Sequence, residues 1–175
     1  MTTYKIGCRY AKLYATEVVV SAGLALLSKG RILLLKPTNS GPCMWTVPKG
    51  QWDTTDESLL HTACRETFEE CGIAINPESV NESEYVLIKY KNRKGEIYKE
   101  IFCFVYKLEE SWDDTQKLHK NMLQPKEVED SCFFDMGSAR DNIFYKQVGI
   151  IDYLENKTTS HAPRSRAPSA PQGRE

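Results

Sequence analysis

The sequence predicts a single α/β domain. Residues 16–36 and 84–108 each contain two β-rich runs around a short polar turn, which is typical of β-hairpins. Residues 56–71 and 138–156 carry apolar side chains at helical spacing, with Ser138 as the expected N-cap of the second helix. Helices that follow strands in this way indicate an α/β fold, which we expect to occupy residues 1–156.

The remaining segments are predicted to connect these elements. Pro48 favours an extended backbone at residues 45–47, after a polar loop at residues 39–42. Most of residues 108–130 is polar and irregular, which predicts a loop, and a short strand is expected at residues 131–136. The Pro-rich residues 157–175 contain no large apolar side chain and are expected to form a disordered tail, with peptide recognition as an alternative role.

Composition narrows the class of protein. Lys plus Arg is 23 and Asp plus Glu is 24, a net charge of -1, which argues against a bulk binder of DNA or of anionic membranes. No apolar run approaches the roughly 20 residues that a membrane span needs, and no export signal is recognised near the N-terminus. The six cysteines form no CxxC pair, so we expect free thiols and a cytoplasmic location.

The helix predicted at residues 56–71 has two distinct faces. Thr54, Thr55 and Asp56 are suitable N-caps, and Gly72 follows where helices often end in a left-handed residue. At about 100° per residue, one stripe should face the core. That stripe comprises Leu60, Ala63, Cys64, Thr67, Phe68 and Cys71.

Three glutamates, Glu66, Glu69 and Glu70, lie together on another face, with Arg65 beside them. A solvated face usually mixes charge signs, but here the i,i+4 pair Glu66 and Glu70 is like with like, at a cost of a few tenths of a kcal/mol. Clustered carboxylates are also the oxygen ligands that Mg²⁺ prefers. A solvated face and a metal site are therefore both compatible with this pattern.

The surrounding residues resemble the Nudix box. Glu57 is followed by seven residues and then by the box residues Arg65, Glu66, Glu69, Glu70, Gly72 and Ile73. The preceding residues 47–50, "VPKG", match the lead-in to that box. Six residues separate Gly50 from Glu57, one more than in the family pattern, so the loop before the helix is expected to be longer than usual.

The resemblance implies a mixed β-sheet between the box helix and a C-terminal helix, an α/β/α sandwich. It implies hydrolysis of a diphosphate linked to another group, with Mg²⁺ or Mn²⁺ held by Glu66, Glu69, Glu70 and a backbone carbonyl at Gly50 or Gln51. Arg65 would hold a glutamate in place, and Glu57 would brace Arg65 or the loop. One of these glutamates, or a carboxylate outside the box, would activate water.

Further candidates lie outside the box. Glu127 and Glu129 precede a strand where the family often keeps an extra ligand or base, although a solvated loop is the alternative. Several residues are candidates for substrate binding through charge or stacking. They are Lys49, the hairpin residues Lys89, Lys91, Arg93, Lys94 and Lys99, and the aromatic residues Trp45, Trp52 and Tyr85.

The resemblance also ranks the substrates. The "VPKG" lead-in looks like that of dinucleoside polyphosphate hydrolases, such as those that cleave diadenosine tetraphosphate. A diphosphoinositol polyphosphate or an RNA 5′ end would also suit the basic hairpin. The alternative of another class is a Nudix module that binds nucleotides or RNA without cleaving them, but such proteins usually lose one of the three glutamates.

Overall fold

A mixed six-stranded sheet forms the centre of the fold in the computed structural model, which describes residues 2–6, 9–13, 18–109 and 126–160. Its strands are β3 (Val19–Ser28), β4 (Arg31–Pro37), β5 (Lys49–Gln51), β6 (Tyr85–Lys91), β7 (Ile97–Lys107) and β8 (Val128–Phe134). The order is β6-β7-β3-β4-β8, and β5 pairs with β3. β3 and β7 are parallel, whereas the other pairs are antiparallel. Strands β1 (Thr2–Ile6) and β2 (Arg9–Leu13) form a separate hairpin that the sequence did not predict.

Both predicted hairpins are confirmed. β3 and β4 join at Lys29 and Gly30, whose positive φ angles of 48° and 76° suit a tight hairpin turn. β6 and β7 pair in antiparallel fashion around the turn that contains Gly95. The predicted start of the last strand at residue 131 is wrong, because β8 begins at Val128, which pairs with Pro37 past a register shift.

The box helix, α1 (Leu59–Cys71), starts three residues later than predicted. Asp53 accepts a hydrogen bond from the Thr55 N–H, and this local turn competes with helix formation. Ser58 is the N-cap instead, because its hydroxyl accepts a hydrogen bond from the His61 N–H. The predicted end is confirmed: Gly72 is left-handed at φ 73°, and its N–H bonds to the Phe68 carbonyl.

The predicted C-terminal helix is two helices, α2 (Met136–Asn142) and α3 (Val148–Ser160), separated by a 3₁₀ turn at Tyr145–Gln147. Ser138 is not the N-cap: Asp135 caps α2 by accepting a hydrogen bond from the Ser138 N–H. α3 continues to Ser160, four residues beyond the predicted end of the domain. Residues 110–125, part of the predicted loop, and 161–175, most of the predicted tail, lie outside the described residues, so the predicted domain boundary stays a prediction.

The sheet separates two apolar cores, and the predicted α/β/α sandwich is confirmed. α1 covers one face, where Leu60 and Ala63 pack with Leu24 and Phe102 of the sheet. α2 and α3 cover the other face. One member of the predicted stripe differs, since Phe68 is 42% exposed. Among the described helices, none is long and apolar enough to cross a membrane.

Candidate active site

Strand β5 brings the backbone against the glutamates of α1. Its residues pair with Ser21–Gly23 of β3, and the Lys49 N–H donates a hydrogen bond to Glu70 Oε2 at 2.8 Å. A Cβ atom added to Gly50 would lie 2.0 Å from the carboxyl carbon of Glu66. Glycine is therefore required at residue 50 for the Glu66 carboxylate to approach the backbone this closely.

Arg65 binds the glutamates from the same helix. Its Nη1 donates to Glu66 Oε1 at 2.7 Å and to Glu69 Oε2 at 3.1 Å. On its other side, Nε and Nη2 donate to the two carboxylate oxygens of Asp56 at 3.0 and 2.9 Å. One guanidinium thus offsets the repulsion between neighbouring carboxylates and fixes their geometry through charge-assisted hydrogen bonds.

Asp56 occupies the bracing position that the sequence predicted for Glu57. The Glu57 side chain is 77% exposed and lies near His61, with 3.6 Å between Oε2 and Nε2, whereas the Asp56 side chain is 9% exposed. Five residues separate Gly50 from Asp56, which is the spacing of the family pattern. The extra residue therefore lies between the bracing carboxylate and Arg65, and this spacing was the signal that could have identified Asp56.

Burial and charge perturb the carboxylates in opposite directions. Burial raises the pKa of Glu70 to about 7, although the Lys49 charge and N–H act against it. Burial also raises the pKa of Glu66, opposed by Arg65. Burial alone would raise the pKa of Asp56, but hydrogen bonds from Arg65 and Thr62 lower it below its usual value.

Of the two acidic residues predicted before β8, the structure brings Glu127 toward the box. After burial, which is the main cause, the Glu127 charge contributes to the raised pKa of both Glu66 and Glu70. Its backbone carbonyl accepts a hydrogen bond from the Thr38 N–H at 2.9 Å, which fixes the segment. Glu129 instead pairs with Lys36 at 3.4 Å on the neighbouring strand.

Two lysines lie within electrostatic reach of each other, and one of them, Lys49, also acts on Glu70. Lys49 is on β5, and its charge acts on both Glu70 and Lys99. Lys99 is on β7, and burial together with the Lys49 charge lowers its pKa. The sequence named Lys99 only as one of five basic residues of the hairpin, because nothing in the local sequence distinguishes this half-buried lysine from the others.

The other predicted substrate residues lie in different environments. Trp45 packs edge-on against Phe134 with ring centroids 4.9 Å apart, and Tyr85 packs against core phenylalanines on the α1 side. Trp52 lines an open cleft of ≈ 450 Å³ together with Arg65 and Glu66. Three of the hairpin cations, Lys89, Lys91 and Arg93, line a second groove, and Lys89 also pairs with the buried Glu100 at 3.4 Å.

The donor set fits a hard divalent cation. Glu66, Glu69, Glu70 and Glu127 supply carboxylate oxygens, and the Gly50 backbone lies against one of them. Across the described parts of the chain, no three carboxylate, imidazole or thiol groups already form a ready-made metal cluster. Joint coordination therefore requires the flexible glutamate side chains to turn toward a common point.

Comparison with known proteins gives one family match. A family model described as "NUDIX domain" matches residues 17–154. "Phosphatase NudJ" of Escherichia coli (strain K12) is 32% identical over 59 residues, which is 34% of this chain and 38% of NudJ. The chain thus spans well under half the length of this curated relative.

Solved structures share the fold at low sequence identity. A Caenorhabditis elegans Ap4A hydrolase binary complex has a TM-score of 0.62 and 23% identity, covering 82% of this chain and 99% of that chain. A bifunctional NMN adenylyltransferase/ADP ribose pyrophosphatase from Francisella tularensis, complexed with AMP and a Mn ion, has a TM-score of 0.56 and 16% identity, covering 80% and 42%. At these identities the likeness supports the fold alone.

Proposed function

The chain belongs to the Nudix family, and from this premise we propose that it is a metal-dependent pyrophosphohydrolase acting on a nucleotide. One observation carries the proposal: the partly buried carboxylates Glu66 and Glu70 lie against the backbone of Lys49 and Gly50, within the electrostatic reach of Glu127. Perturbed carboxylates gathered beside cationic side chains are typical of a catalytic site. A purely solvated face would leave these glutamates exposed.

Each residue has a role in the proposed reaction. A bound Mg²⁺ or Mn²⁺ would activate water and neutralise charge on the leaving phosphate. Glu66, Glu69 and Glu70 would hold it, together with the Gly50 carbonyl, while Arg65 orients Glu66 and Glu69. A carboxylate of this group or Glu127 accepts the proton of the attacking water as the P–O–P bridge breaks.

Lys49 and Lys99 would receive the phosphates. After burial, which is the main cause, the Lys49 charge contributes to the lowered pKa of Lys99, so the two ammonium groups lie close enough to interact. Two neighbouring cations repel each other, and a polyphosphate bound there would relieve this repulsion. The pair therefore favours a substrate with several consecutive phosphates.

A dinucleoside polyphosphate such as diadenosine tetraphosphate is the substrate that we propose first. The "VPKG" lead-in, the paired lysines and the similarity in fold to the Ap4A hydrolase support this choice. Diphosphoinositol polyphosphates and RNA 5′ ends are the alternatives with the same chemistry. The five described cysteines are free thiols, which fits a cytoplasmic enzyme.

A substrate panel tests this proposal. Diadenosine tetraphosphate, ADP-ribose, a diphosphoinositol polyphosphate and a 5′-triphosphate oligoribonucleotide would each be incubated with Mg²⁺ or Mn²⁺, and the products resolved by chromatography. We expect hydrolysis of diadenosine tetraphosphate at a P–O–P bridge, abolished by EDTA. If no phosphoanhydride is cleaved but nucleotides bind, the chain is a non-catalytic Nudix module and the proposal is wrong.

A further inference from the structure

A second groove combines exposed tyrosines with cations at the edge of the sheet. We call it the basic aromatic surface and define it by Lys91, Arg93, Tyr98, Tyr145 and Lys146. Its residues come from the β6–β7 hairpin and from the 3₁₀ turn between α2 and α3. The acidic residue of the hairpin turn, Glu96, is engaged by Asn92 through a 2.8 Å hydrogen bond.

The two tyrosines are exposed but firmly supported. Tyr98 is 41% exposed and Tyr145 is 71% exposed. The Tyr98 ring lies 6.1 Å from that of Tyr90, and the Tyr145 ring lies 4.8 Å from that of Phe144. Phe144 and Tyr90 are themselves in edge-on contact at 5.8 Å. Exposed rings on a fixed aromatic base can stack on a flat ligand with little loss of conformational entropy.

Lys146 joins the two tyrosines. Its Nζ donates a hydrogen bond to the Tyr98 hydroxyl at 2.9 Å. The same atom lies 5.0 Å from the Tyr98 ring centroid and 5.8 Å from the Tyr145 ring centroid, within cation–π range. The surface therefore presents positive charge between two rings, with Lys91 and Arg93 along the same groove.

Strand β3 connects the basic aromatic surface to the candidate active site, because it pairs with β7, which carries Tyr98, and with β5, which carries Lys49 and Gly50. Tyr98 immediately precedes Lys99, so their Cα atoms are about 3.8 Å apart. Together with burial, the Lys49 charge contributes to the lowered pKa of Lys99, and the Lys49 N–H donates a hydrogen bond to Glu70. Lys99 and Lys49 thus link Tyr98 to the Glu70 carboxylate, and an extended ligand that crosses both lysines would join the two sites.

We infer that the basic aromatic surface binds single-stranded RNA and guides its 5′ phosphoanhydride to the carboxylates. Exposed rings alternating with cations match a chain of unpaired bases and phosphates, whereas a duplex keeps its bases stacked and hidden. An RNA strand begun with a nucleoside triphosphate carries P–O–P bridges at its 5′ end. This inference rests on the proposed pyrophosphohydrolase for the cleavage step, but not for the binding step.

Binding is tested with RNA that cannot be cleaved. A ten-nucleotide oligouridine with a 5′-hydroxyl and a 3′-fluorophore would be titrated with protein in EDTA at low salt, and Kd read from fluorescence anisotropy. Because stacking of one base contributes about 5- to 150-fold in affinity, we expect Tyr145→Ala to raise Kd at least about fivefold, and Tyr145→Phe to leave it within about twofold. Charge reversal by Lys91→Glu should also raise Kd and reduce its salt dependence.

Lys29→Glu is the matched control for charge. Lys29 lies in the β3–β4 turn. Because β3 and β7 run parallel, this turn is at the opposite end of the sheet from Tyr98. We expect Lys29→Glu to bind RNA more tightly than Lys91→Glu does. Equal losses in the two variants, an unchanged Kd in Tyr145→Ala, or equal binding of a duplex of the same length would each overturn the inference.

Hydrolysis separates this inference from the proposed function. With a 5′-triphosphate oligoribonucleotide as substrate, Tyr145→Ala should raise KM by the factor found for Kd, with kcat within about twofold of wild type. With the cleavable substrate of the panel that lacks an RNA chain, Tyr145→Ala should raise KM by a smaller factor. If RNA binds as expected but nothing is hydrolysed, the proposed function fails while the binding surface stands.

Discussion

Arg65 explains how three glutamates share one short stretch of helix. Its guanidinium contacts Glu66 and Glu69 on one side and both oxygens of Asp56 on the other. The like-charge repulsion at helical spacing costs only a few tenths of a kcal/mol, which these charge-assisted contacts readily offset. The positions of Glu66 and Glu69 therefore depend on Asp56, which holds Arg65 in place.

The bracing role is tested by a pair of neighbouring substitutions. Asp56→Asn removes the charge that pairs with Arg65, and we expect it to lower the free energy of unfolding by about 1–3 kcal/mol and to reduce turnover. Glu57→Gln alters an exposed side chain and should change stability by less than about 0.5 kcal/mol. Urea denaturation and steady-state kinetics would measure both. A larger effect at Glu57 than at Asp56 would restore the original assignment of the brace.

Gly50 gives a second prediction at the residue scale. Gly50→Ala places a methyl group where the Glu66 carboxylate lies, so that carboxylate must move and turnover should fall at least about tenfold. Gly41→Ala is the matched control, because its added Cβ would have its nearest contact at 3.9 Å, an ordinary van der Waals distance. Equal turnover in the two variants would show that the close approach at Gly50 does not matter for activity.

At the element scale, the turn between α2 and α3 is hydrogen-bonded to the segment that leads into β5. Buried Gln147 accepts a hydrogen bond from the Val47 N–H at 3.3 Å and donates one to the Tyr90 hydroxyl at 2.9 Å. The Phe144 N–H also donates to the Trp45 carbonyl at 2.7 Å. A continuous helix over this region would not present these groups to residues 45–47, which lead directly into Lys49 and Gly50.

The buried amide of Gln147 should contribute measurably to stability. Gln147→Leu leaves the Val47 N–H and the Tyr90 hydroxyl without this partner, and we expect a loss of about 1–3 kcal/mol in the free energy of unfolding. A double-mutant cycle with Tyr90→Phe should give a coupling of about 0.5–1.5 kcal/mol, since both changes remove the same hydrogen bond. Strict additivity of the two losses would contradict the link between them.

At the scale of the whole molecule, the periodic and motif-bearing parts could be predicted from the sequence. The two hairpins follow from β-rich runs around short turns, and the C-terminal end of α1 follows from Gly72. The start of α1 could not be predicted, because Asp53 to Ser58 offer several competing caps and the choice depends on Arg65 folding back onto Asp56. Long-range contacts likewise decide the break at Ile143–Gln147.

The sequence could predict which residue types form the candidate site, but not which distant residues lie next to them. The box pattern led to the glutamates, yet Lys99 and the supported tyrosines become neighbours of the site only through the parallel pairing of β3 with β7 and the packing of the α2–α3 turn. The local sequence does not predict such long-range contacts.

A metal ion and a proton should compete for Glu70, and this competition should affect the stability of the whole fold. The raised pKa of Glu70 means that the folded metal-free protein holds a proton that the unfolded chain releases near pH 4.5. The contribution of this group to stability is therefore complete below pH 4.5 and is lost as pH rises to about 7. A cation must displace the same proton, so its affinity should be about tenfold weaker at pH 6 than well above pH 7.

Thermal unfolding with and without Mg²⁺ measures this linkage. The increase in Tm on adding Mg²⁺ should be larger at pH 8 than at pH 6, because the cation binds the folded carboxylates. The pH dependence should be weaker in Glu70→Gln. An equal increase at both pH values in the wild-type protein would show that Glu70 does not titrate in this range.

Turnover of Glu70→Gln on the best substrate of the panel tests the central claim most directly. The amide retains the size of Glu70 and can still accept the Lys49 N–H, so circular dichroism and Tm should show an intact fold. We predict a fall in kcat of at least about 100-fold at saturating Mg²⁺, because the substitution removes a carboxylate that the reaction needs. A kcat within about threefold of the wild-type value would contradict the assignment of the active site.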